Sequence, residues 1–319
     1  MKTCPKCRGA YGNGYAVCPR DGNALVAAPE LSEGAIIRGK FRIISVLSER
    51  FTGHVYKALH LKFNQFRALW VIDWEEAANQ HFVDLFAREA GALSKLQHPN
   101  VERVEDFDES EDGRPFMVME CVEGRSLEQV IQQEGPLPPL RVCSIAKQVA
   151  AGLGAAHSLG LFHGDVQPEN IVLVGTPGAE IAKVVDFCSV YLKRAWSASD
   201  LECDGRLLVR PQYPSPELIM CKDMDGRADL YSLGVVMYQM LTQELPFQAD
   251  SIMKYILAHL QNPPRPIQSV RPDLAIPDAL ANFVMRCLEK NRDLRPADAH
   301  ELIRELERVE AEIRQPPLS

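Results

Sequence analysis

The order of its apolar patterns is the feature that most restricts how this chain can fold. Between residues 41 and 74 the sequence carries three runs rich in β-branched and aromatic residues, FRIISVL, HVYKALHL and FRALWVIDW, which are separated by polar turns. Such runs predict β-strands. Beyond residue 126 the apolar residues keep a helical period instead, as in LYSLGVVMYQML at 230–241. A strand-rich front followed by a helix-rich back predicts an α+β fold of two lobes with a cleft between them.

Composition narrows the class of protein. The 319 residues predict about two domains, and 46% hydrophobic with 24% charged residues excludes a disordered or collagen-like chain. A formal net charge of −8 argues against nucleic acid or an anionic membrane as a general partner. The sequence shows no apolar run of transmembrane length and no secretory signal at MKTCPKCRGA. We therefore expect a cytoplasmic protein whose nine cysteines stay reduced.

A second pattern lies at the N-terminus, in the string CPKCRGAYGNGYAVCPRDG. Cys-x-x-Cys lets two thiolates bind one tetrahedral metal, and a carboxylate oxygen is also a zinc ligand. The string resembles the half zinc ribbons of bacterial regulatory proteins. This resemblance predicts a structural zinc knuckle over 1–24, followed by a linker over 25–38, with the ligands Cys4, Cys7, Cys18 and Asp21. The alternatives are a metal-free loop and, because no histidine lies nearby, less plausibly a catalytic zinc.

Five motifs along the rest of the chain resemble those of the protein kinase family. They are LFHGDVQPEN at 161–170, KVVDFC at 183–188, YPSPE at 213–217, DGRADLYSLG at 225–234 and LRPADAHEL at 294–302. They stand in the order and spacing of bacterial Hanks-type serine/threonine kinases. The resemblance predicts a kinase-like domain over 39–312, with a small lobe over 39–119, a large lobe over 120–312 and a tail over 313–319.

The resemblance assigns roles to several side chains. Asp165 matches the residue that accepts the substrate hydroxyl proton, and Asn170 and Asp186 match the ligands of Mg²⁺. Glu89, an acid on the apolar face of a helix predicted over 79–97, matches the partner of the strand lysine. The large lobe should be braced by an ion pair between Glu217 and Arg295 and by Asp229 under the catalytic loop. ATP with magnesium is the cofactor that this resemblance implies.

The ATP-phosphate contacts of the family are degraded. The glycine loop, G-x-G-x-x-G-x-V, reads SERFTGHV, so that Ser48 and Arg50 replace two glycines and only Gly53 remains. Trp70 occupies the position of the strand lysine, and a neutral indole cannot pair with phosphates. Lys57 is the nearest lysine that could substitute. Without its ammonium partner, Glu89 should accept a hydrogen bond from the Trp70 indole or turn out to solvent.

Four further departures lie in the predicted large lobe: Gly164, Gln167, Cys188 and Arg210 stand where the family has Arg, Lys, the Gly of D-F-G and Thr. The segment between Cys188 and Tyr213 contains no threonine, so autophosphorylation there by a Ser/Thr kinase would have to use Ser189, Ser197 or Ser199. The residues at the adenine-binding positions match the family pattern more closely than those at the phosphate-binding positions. The adenine-binding positions comprise Val55, Ala68, the gatekeeper Met119 and the hinge residues Glu120 to Val122, and Leu93, His163 and Phe187 match the stack that joins the lobes.

Two functions remain open. The first is a pseudokinase that acts as a regulatory binding module, with a protein partner such as an active kinase. The alternative is a weakly active or unconventional Ser/Thr kinase that uses Asp165, Asn170 and Asp186. A zinc-dependent nucleic-acid adaptor is a third class, which the acidic balance of the chain disfavours.

Overall fold

The computed structural model of the protein describes residues 2–4, 6, 10–11, 15–27, 31–50, 52–187, 202–203, 206–207, 210–220 and 222–314. These residues form two compact units. The first takes the described residues up to Gln97 together with Arg103–Cys121, and the second takes His98–Glu102 and the described residues from Val122 onward.

The first unit is built on two antiparallel sheets and two helices. Its strands are β1 (Lys2–Thr3), β2 (Ala10–Tyr11), β3 (Val26–Ala27), β4 (Ile36–Ile37), β5 (Phe41–Arg50), β6 (Gly53–His60), β7 (Gln65–Ile72), β8 (Val104–Glu109) and β9 (Pro115–Glu120). Its helices are α1 (Trp74–Ala77) and α2 (Gln80–Leu93). The short N-terminal strands pair in the order β2-β1-β3, and the six others pair in the order β4-β5-β6-β7-β9-β8.

The central strands of the six-stranded sheet are buried on both faces. One face forms a core cluster of Ile37, Phe41, Ile43, Tyr56, Ala58, Leu69, Val71, Phe116 and Val118. The opposite face presents Val55, Ala68, Trp70, Met117 and Met119, because residues paired across an antiparallel ladder point to the same side. All five are buried, and α2 supplies Phe82 and Phe86 as further buried aromatic side chains. The central strands are therefore apolar on both sides, as the sequence pattern predicts.

The second unit is mainly helical. Its helices are α3 (Leu127–Glu134), α4 (Pro139–His157), α5 (Pro216–Ile219), α6 (Arg227–Thr242), α7 (Ile252–Gln261), α8 (Ile267–Val270), α9 (Asp278–Cys287) and α10 (Ala299–Arg314). Short 3-10 turns lie at Pro168–Asn170 and Arg292–Leu294. Its strands are β10 (Arg125–Ser126), β11 (Ile171–Val174), β12 (Ile181–Val184), β13 (Glu202–Cys203) and β14 (Arg206–Leu207), of which β10-β11-β12 form one sheet and β13-β14 a second.

Helix α6 is the centre of this unit, since most of its side chains are buried. The last helix, α10, packs against α4, and Lys147 of α4 donates a 2.8 Å hydrogen bond to Glu310 of α10. The predicted brace is confirmed: Arg295 binds Glu217 through two hydrogen bonds of 2.6 and 3.0 Å, and both side chains are buried. Within the described part of the chain, no helix combines the length and the apolar character that crossing a membrane requires.

Candidate functional site

The segment between α4 and β11 carries the predicted catalytic loop, and one carboxylate holds it in place. Asp229, in the first turn of α6, accepts hydrogen bonds from the backbone amides of His163 (2.9 Å) and Gly164 (2.7 Å). His157, at the end of α4, lies with its Nε2 2.8 Å from the same carboxylate. The predicted bracing role of Asp229 is confirmed, whereas the contribution of His157 was not foreseen from the sequence.

Asp229 is completely buried and remains the acceptor of these bonds. Burial alone would raise the pKa of Asp229, but the hydrogen bonds from His157 and the Gly164 amide and the nearby histidines outweigh burial, so its pKa lies below the usual value. A buried carboxylate with donors on both oxygens fixes the loop backbone on either side of His163. The catalytic loop is thus positioned by the core of the second unit.

Asp165 and Asn170 are brought together in this loop. The Asn170 side-chain amide donates to the Asp165 carbonyl at 2.8 Å. Gln167, which stands in place of the family's lysine, donates from Nε2 to the Asp165 carboxylate at 3.1 Å. The Gln167 side chain is neutral and buried, so it supplies a hydrogen bond but no positive charge to this site.

Asp186 follows β12 and is connected to the same loop. The Val185 amide donates to the Asn170 carbonyl (2.9 Å), and His163 Nε2 lies 2.9 Å from the Val185 carbonyl. The rings of His163 and Phe187 meet edge to face at 4.6 Å, as their predicted stack requires. Asp186 itself has a φ of 69°, a left-handed conformation that Asp and Asn tolerate better than most residues. That Leu93 joins this stack stays a prediction.

The activation segment is described only in part. Cys7, Cys188 and the candidate phosphorylation sites Ser189, Ser197 and Ser199 lie outside the described residues. Arg210, which stands where the family has threonine, forms an ion pair with Glu169 of the catalytic loop. Sequence reasoning missed this contact, although the opposite charges at the two positions were visible.

In the first unit, the position of the strand lysine is filled by a buried aromatic side chain. Trp70 is 1% exposed, and its ring meets that of Phe86 edge to face at 5.1 Å. The expected partnership with Glu89 is wrong in both forms: the Trp70 indole nitrogen has no hydrogen-bond partner among the described residues, and Glu89 is not turned out but 7% exposed. The physical reason is that α2 packs its apolar face inward and carries Glu89 with it.

Glu89 finds a different partner. Its carboxylate lies 3.6 Å from the guanidinium of Arg88, the preceding residue of α2. Burial raises the pKa of Glu89, and the Arg88 charge opposes this only in part. The carboxylate that should pair with a strand lysine thus lies next to a largely exposed arginine instead.

The glycine loop is the hairpin between β5 and β6. Its one remaining glycine, Gly53, has a φ of 150°, and a Cβ there would collide with the Val71 carbonyl oxygen. Arg50, the last residue of β5, places its guanidinium carbon 4.2 Å from the centre of the Trp70 ring. The sequence analysis identified Arg50 as a glycine replacement but did not predict this contact.

The other residues of the predicted nucleotide slot lie on the same face of the sheet. Val55 pairs with Trp70, and Ala68 pairs with the buried gatekeeper Met119. The ammonium of Lys57 lies 4.1 Å above the Phe66 ring, which is four residues before Trp70 along β7. Lys57 is therefore not directed to the position of the missing lysine.

At the N-terminus, three of the four predicted zinc ligands come together. The donor atoms of Cys4, Cys18 and Asp21 all lie within 4.8 Å of one another, and Cys4 Sγ is 3.3 Å from both Asp21 oxygens. Hydrogen bonds from the Asn23 backbone and side chain help to hold the pKa of Asp21 well below its usual range. Two thiols and an ionised carboxylate suit zinc chemically.

The sequence of this chain is similar to those of known protein kinases. A sequence model described as "Protein kinase domain" matches residues 44–306. The serine/threonine-protein kinase pkn3 of Myxococcus xanthus is 36% identical over 290 residues, which cover 88% of this chain and 52% of that protein. Serine/threonine-protein kinase PknL of Mycobacterium tuberculosis is 33% identical over 286 residues, covering 89% of this chain and 69% of the relative.

A solved structure is also similar. The crystal structure of the Mycobacterium tuberculosis PknI kinase domain has a TM-score of 0.66 and 28% identity, and the match covers 88% of this chain and 99% of that one. The chain spans about half of the Myxococcus relative, so the likeness concerns the domain rather than that whole protein. With the catalytic loop, its Asp229 brace and the Glu217–Arg295 ion pair in place, the chain belongs to the protein kinase domain family, among relatives of the bacterial serine/threonine type.

Proposed function

We propose that this kinase-family protein is a pseudokinase, a signalling module that binds a protein partner such as an active kinase and transfers phosphate weakly or not at all. The observation that carries the proposal is the buried indole of Trp70 at the position of the strand lysine. An indole carries no positive charge and has a single N–H donor, so it cannot replace the ammonium that pairs with the phosphates. Glu89, the partner of that lysine in the family, is paired with Arg88 instead.

The size of the loss supports this reading. One charge-assisted contact is worth about 1.5–3 kcal/mol, which corresponds to about ten- to hundredfold in rate. Trp70 and Gln167 each replace a lysine that would make such a contact. Ser48 and Arg50 add side chains where the family brings bare backbone close to the phosphates. The combined effect lowers phosphoryl transfer by several orders of magnitude if the losses add.

A second candidate is an unconventional ATP-dependent Ser/Thr kinase, and the second unit favours it. Asp165 and Asn170 lie in the loop that Asp229 braces. Asp186 follows β12, where the Val185 amide is hydrogen-bonded to the Asn170 carbonyl. Asn170 and Asp186 offer the oxygen ligands that Mg²⁺ prefers, and bound Mg·ATP would supply the transferable phosphate. The two curated relatives compared above are both named as serine/threonine kinases.

Phosphoryl transfer decides between the two candidates. The full chain is incubated with radiolabelled ATP and generic protein substrates, with Mg²⁺ and separately with Mn²⁺. An Asp165→Asn variant identifies transfer that depends on the catalytic loop, and Asp293→Asn, an exposed carboxylate elsewhere in the second unit, is the matched control. Pseudokinase function predicts no Asp165-dependent transfer with either metal. Transfer that Asp165→Asn abolishes and Asp293→Asn preserves would establish the second candidate instead.

Thermal unfolding with nucleotide adds a second readout. The midpoint is measured with and without ATP, each in the presence and absence of Mg²⁺. Ligand binding to the folded state raises the midpoint according to its affinity. A rise that requires Mg²⁺ supports the kinase, whereas a rise without Mg²⁺, or no rise, supports the pseudokinase.

The N-terminal segment is proposed to be a structural zinc knuckle, with Cys7 completing the set of Cys4, Cys18 and Asp21. The convergence of those three donor atoms supports it. Metal analysis of the purified chain should find one zinc per molecule. Cys18→Ser should lose this zinc, and Cys121→Ser, on a cysteine outside the knuckle, should keep it. A wild-type chain without zinc would mean that the segment is a metal-free loop.

A further inference from the structure

Arg50 and Trp70 form a contact that the family pattern does not predict. In the sheet, Ser48 pairs with Val55, which pairs with Trp70, and Arg50 pairs with Gly53 two residues further along the hairpin. Arg50 and Trp70 therefore project from the same face, and the guanidinium lies over the indole ring at 4.2 Å. A positive charge consequently sits on the side chain that replaces the lysine.

The indole is a fixed platform for this charge. Trp70 is buried, is held edge to face by Phe86, and lies between Val55 and Met117 in the strand register. Its N–H finds no acceptor among the described residues, so the ring contributes a surface rather than a hydrogen bond. Tryptophan is the aromatic residue that attracts a cation most strongly.

The hairpin that carries Arg50 is held on both sides of Gly53. The Asp73 amide donates to the Thr52 carbonyl at 3.0 Å, and His54 Nδ1 lies 3.1 Å from the Asp73 carboxylate. Thr52 is buried, and Gly53 lies so close to the Val71 carbonyl that a Cβ on residue 53 would collide with it. These contacts limit the positions that the end of β5 can take, and so they place Arg50 over Trp70.

We propose that Arg50 replaces the strand lysine as the cation that binds the phosphates of a nucleoside di- or triphosphate, with Trp70 as its support. A guanidinium stays charged at all physiological pH values and presents its N–H donors in the plane of the group. The indole attracts the guanidinium through the π face of the ring, and a guanidinium can bind phosphate oxygens in pairs through its N–H donors. This inference rests on the proposed kinase-type nucleotide site and requires binding, not phosphoryl transfer.

The test compares ATP, ADP and adenosine by calorimetric titration of the full chain. Arg50→Gln keeps a planar side chain without charge, and Arg50→Lys keeps the charge without the flat face. Arg42→Gln, at the exposed beginning of the same strand, is the matched control. We expect Arg50→Gln to weaken ATP and ADP about ten- to hundredfold and adenosine by less than about twofold, with Arg50→Lys intermediate and Arg42→Gln like wild type.

A second variant tests the support. In Trp70→Lys the ammonium returns to its family position, so adding Arg50→Gln to that variant should change ATP affinity much less than it does in the wild type. Equal effects in both backgrounds would overturn the role of Trp70 as the support of Arg50.

The outcomes separate this inference from the function on which it rests. ATP binding that Arg50→Gln leaves unchanged or strengthens overturns the Arg50 inference alone. An equal loss of ATP and adenosine affinity also overturns it, because that loss would mean a structural role for Arg50. A wild-type chain that binds neither ATP nor adenosine overturns the inference together with the nucleotide site.

Discussion

Replacing Asp229 by asparagine should weaken the second unit by loosening its catalytic loop. The carboxylate accepts three hydrogen bonds: one oxygen serves the Gly164 amide, and the other serves the His163 amide and His157. An asparagine keeps one oxygen and replaces the other with an NH₂ donor. The asparagine loses fewer hydrogen bonds if its NH₂ group faces the Gly164 amide and its oxygen faces His163 and His157. In that orientation the Gly164 amide has no acceptor in a fully buried position.

The magnitude follows from these contacts. Leaving a buried donor without an acceptor costs about 1–3 kcal/mol. The two remaining bonds also become weaker, because a charged acceptor makes a hydrogen bond about twice as strong as a neutral one. We therefore expect Asp229→Asn to lower the free energy of unfolding by about 2–4 kcal/mol. For a unit of this size that is a fall in the unfolding midpoint of about 4–16 °C.

The assay is thermal unfolding of both proteins across pH, followed by circular dichroism. Because the pKa of Asp229 is lower in the folded state, its stabilising effect is fully present above the unfolded pKa and is lost as pH falls through the folded one. The gap between wild type and Asp229→Asn should thus be constant from pH 8 to 5 and narrow only below about pH 4. Arg210→Ala, which removes a half-exposed ion pair on the same loop, should change stability by less than about 1 kcal/mol. Midpoints of Asp229→Asn and wild type within about 2 °C at pH 7.5 would refute the reasoning.

Three further outcomes are expected. Glu217→Ala leaves the Arg295 guanidinium buried without its carboxylate, so urea unfolding should show a loss of about 3–5 kcal/mol; a loss below about 1 kcal/mol would contradict the importance of the pair. Gly53→Ala forces a Cβ against the Val71 carbonyl and should lower the thermal midpoint of the chain, whereas Gly34→Ala, whose Cβ would meet no neighbour, serves as the comparison for left-handed strain alone. Burial raises the pKa of Cys143 and of Cys287 to about 12, so neither thiol should be alkylated at pH 8 until the chain is unfolded; modification of the native protein, seen by mass spectrometry, would show that the thiols are accessible.

The sequence predicted the brace of the second unit well. Glu217 and Arg295 lie 78 positions apart, and Asp229 lies 65 positions from Gly164, yet both contacts are present as expected. Each of these residues belongs to a short motif whose backbone shape is narrowly limited, by a proline after Ser215, by Gly164 at a φ of 66°, or by the first turn of α6. When motifs constrain both ends of a contact, the contact can be inferred from one chain.

The first unit was harder to predict, because its contacts depend on strand register. Two irregularities in β5, at Ile43/Ser45 and Val46/Ser48, together shift the ladder by two residues and set which residues of β6 lie opposite the end of β5. Nothing in the residue types predicts the position of such bulges. The sequence also did not predict the environment of Glu76 in α1. In the structure it is buried, and burial raises its pKa to about 7.

The residues that this chain keeps have structural reasons to be there, apart from any catalysis. The Asn170 amide caps the Asp165 carbonyl, and Asp186 occupies a left-handed position where aspartate is among the better-tolerated side chains. The replaced residues, at 70 and 167, are those whose family role is to contact phosphate. Keeping Asp165, Asn170 and Asp186 is therefore weaker support for phosphoryl transfer than their number suggests, because a domain selected only to stay folded would have reason to keep two of them. The informative position is Asp165, whose carboxylate accepts a hydrogen bond from the neutral amide of Gln167, where the family has a lysine. It is the residue on which the transfer assay is built.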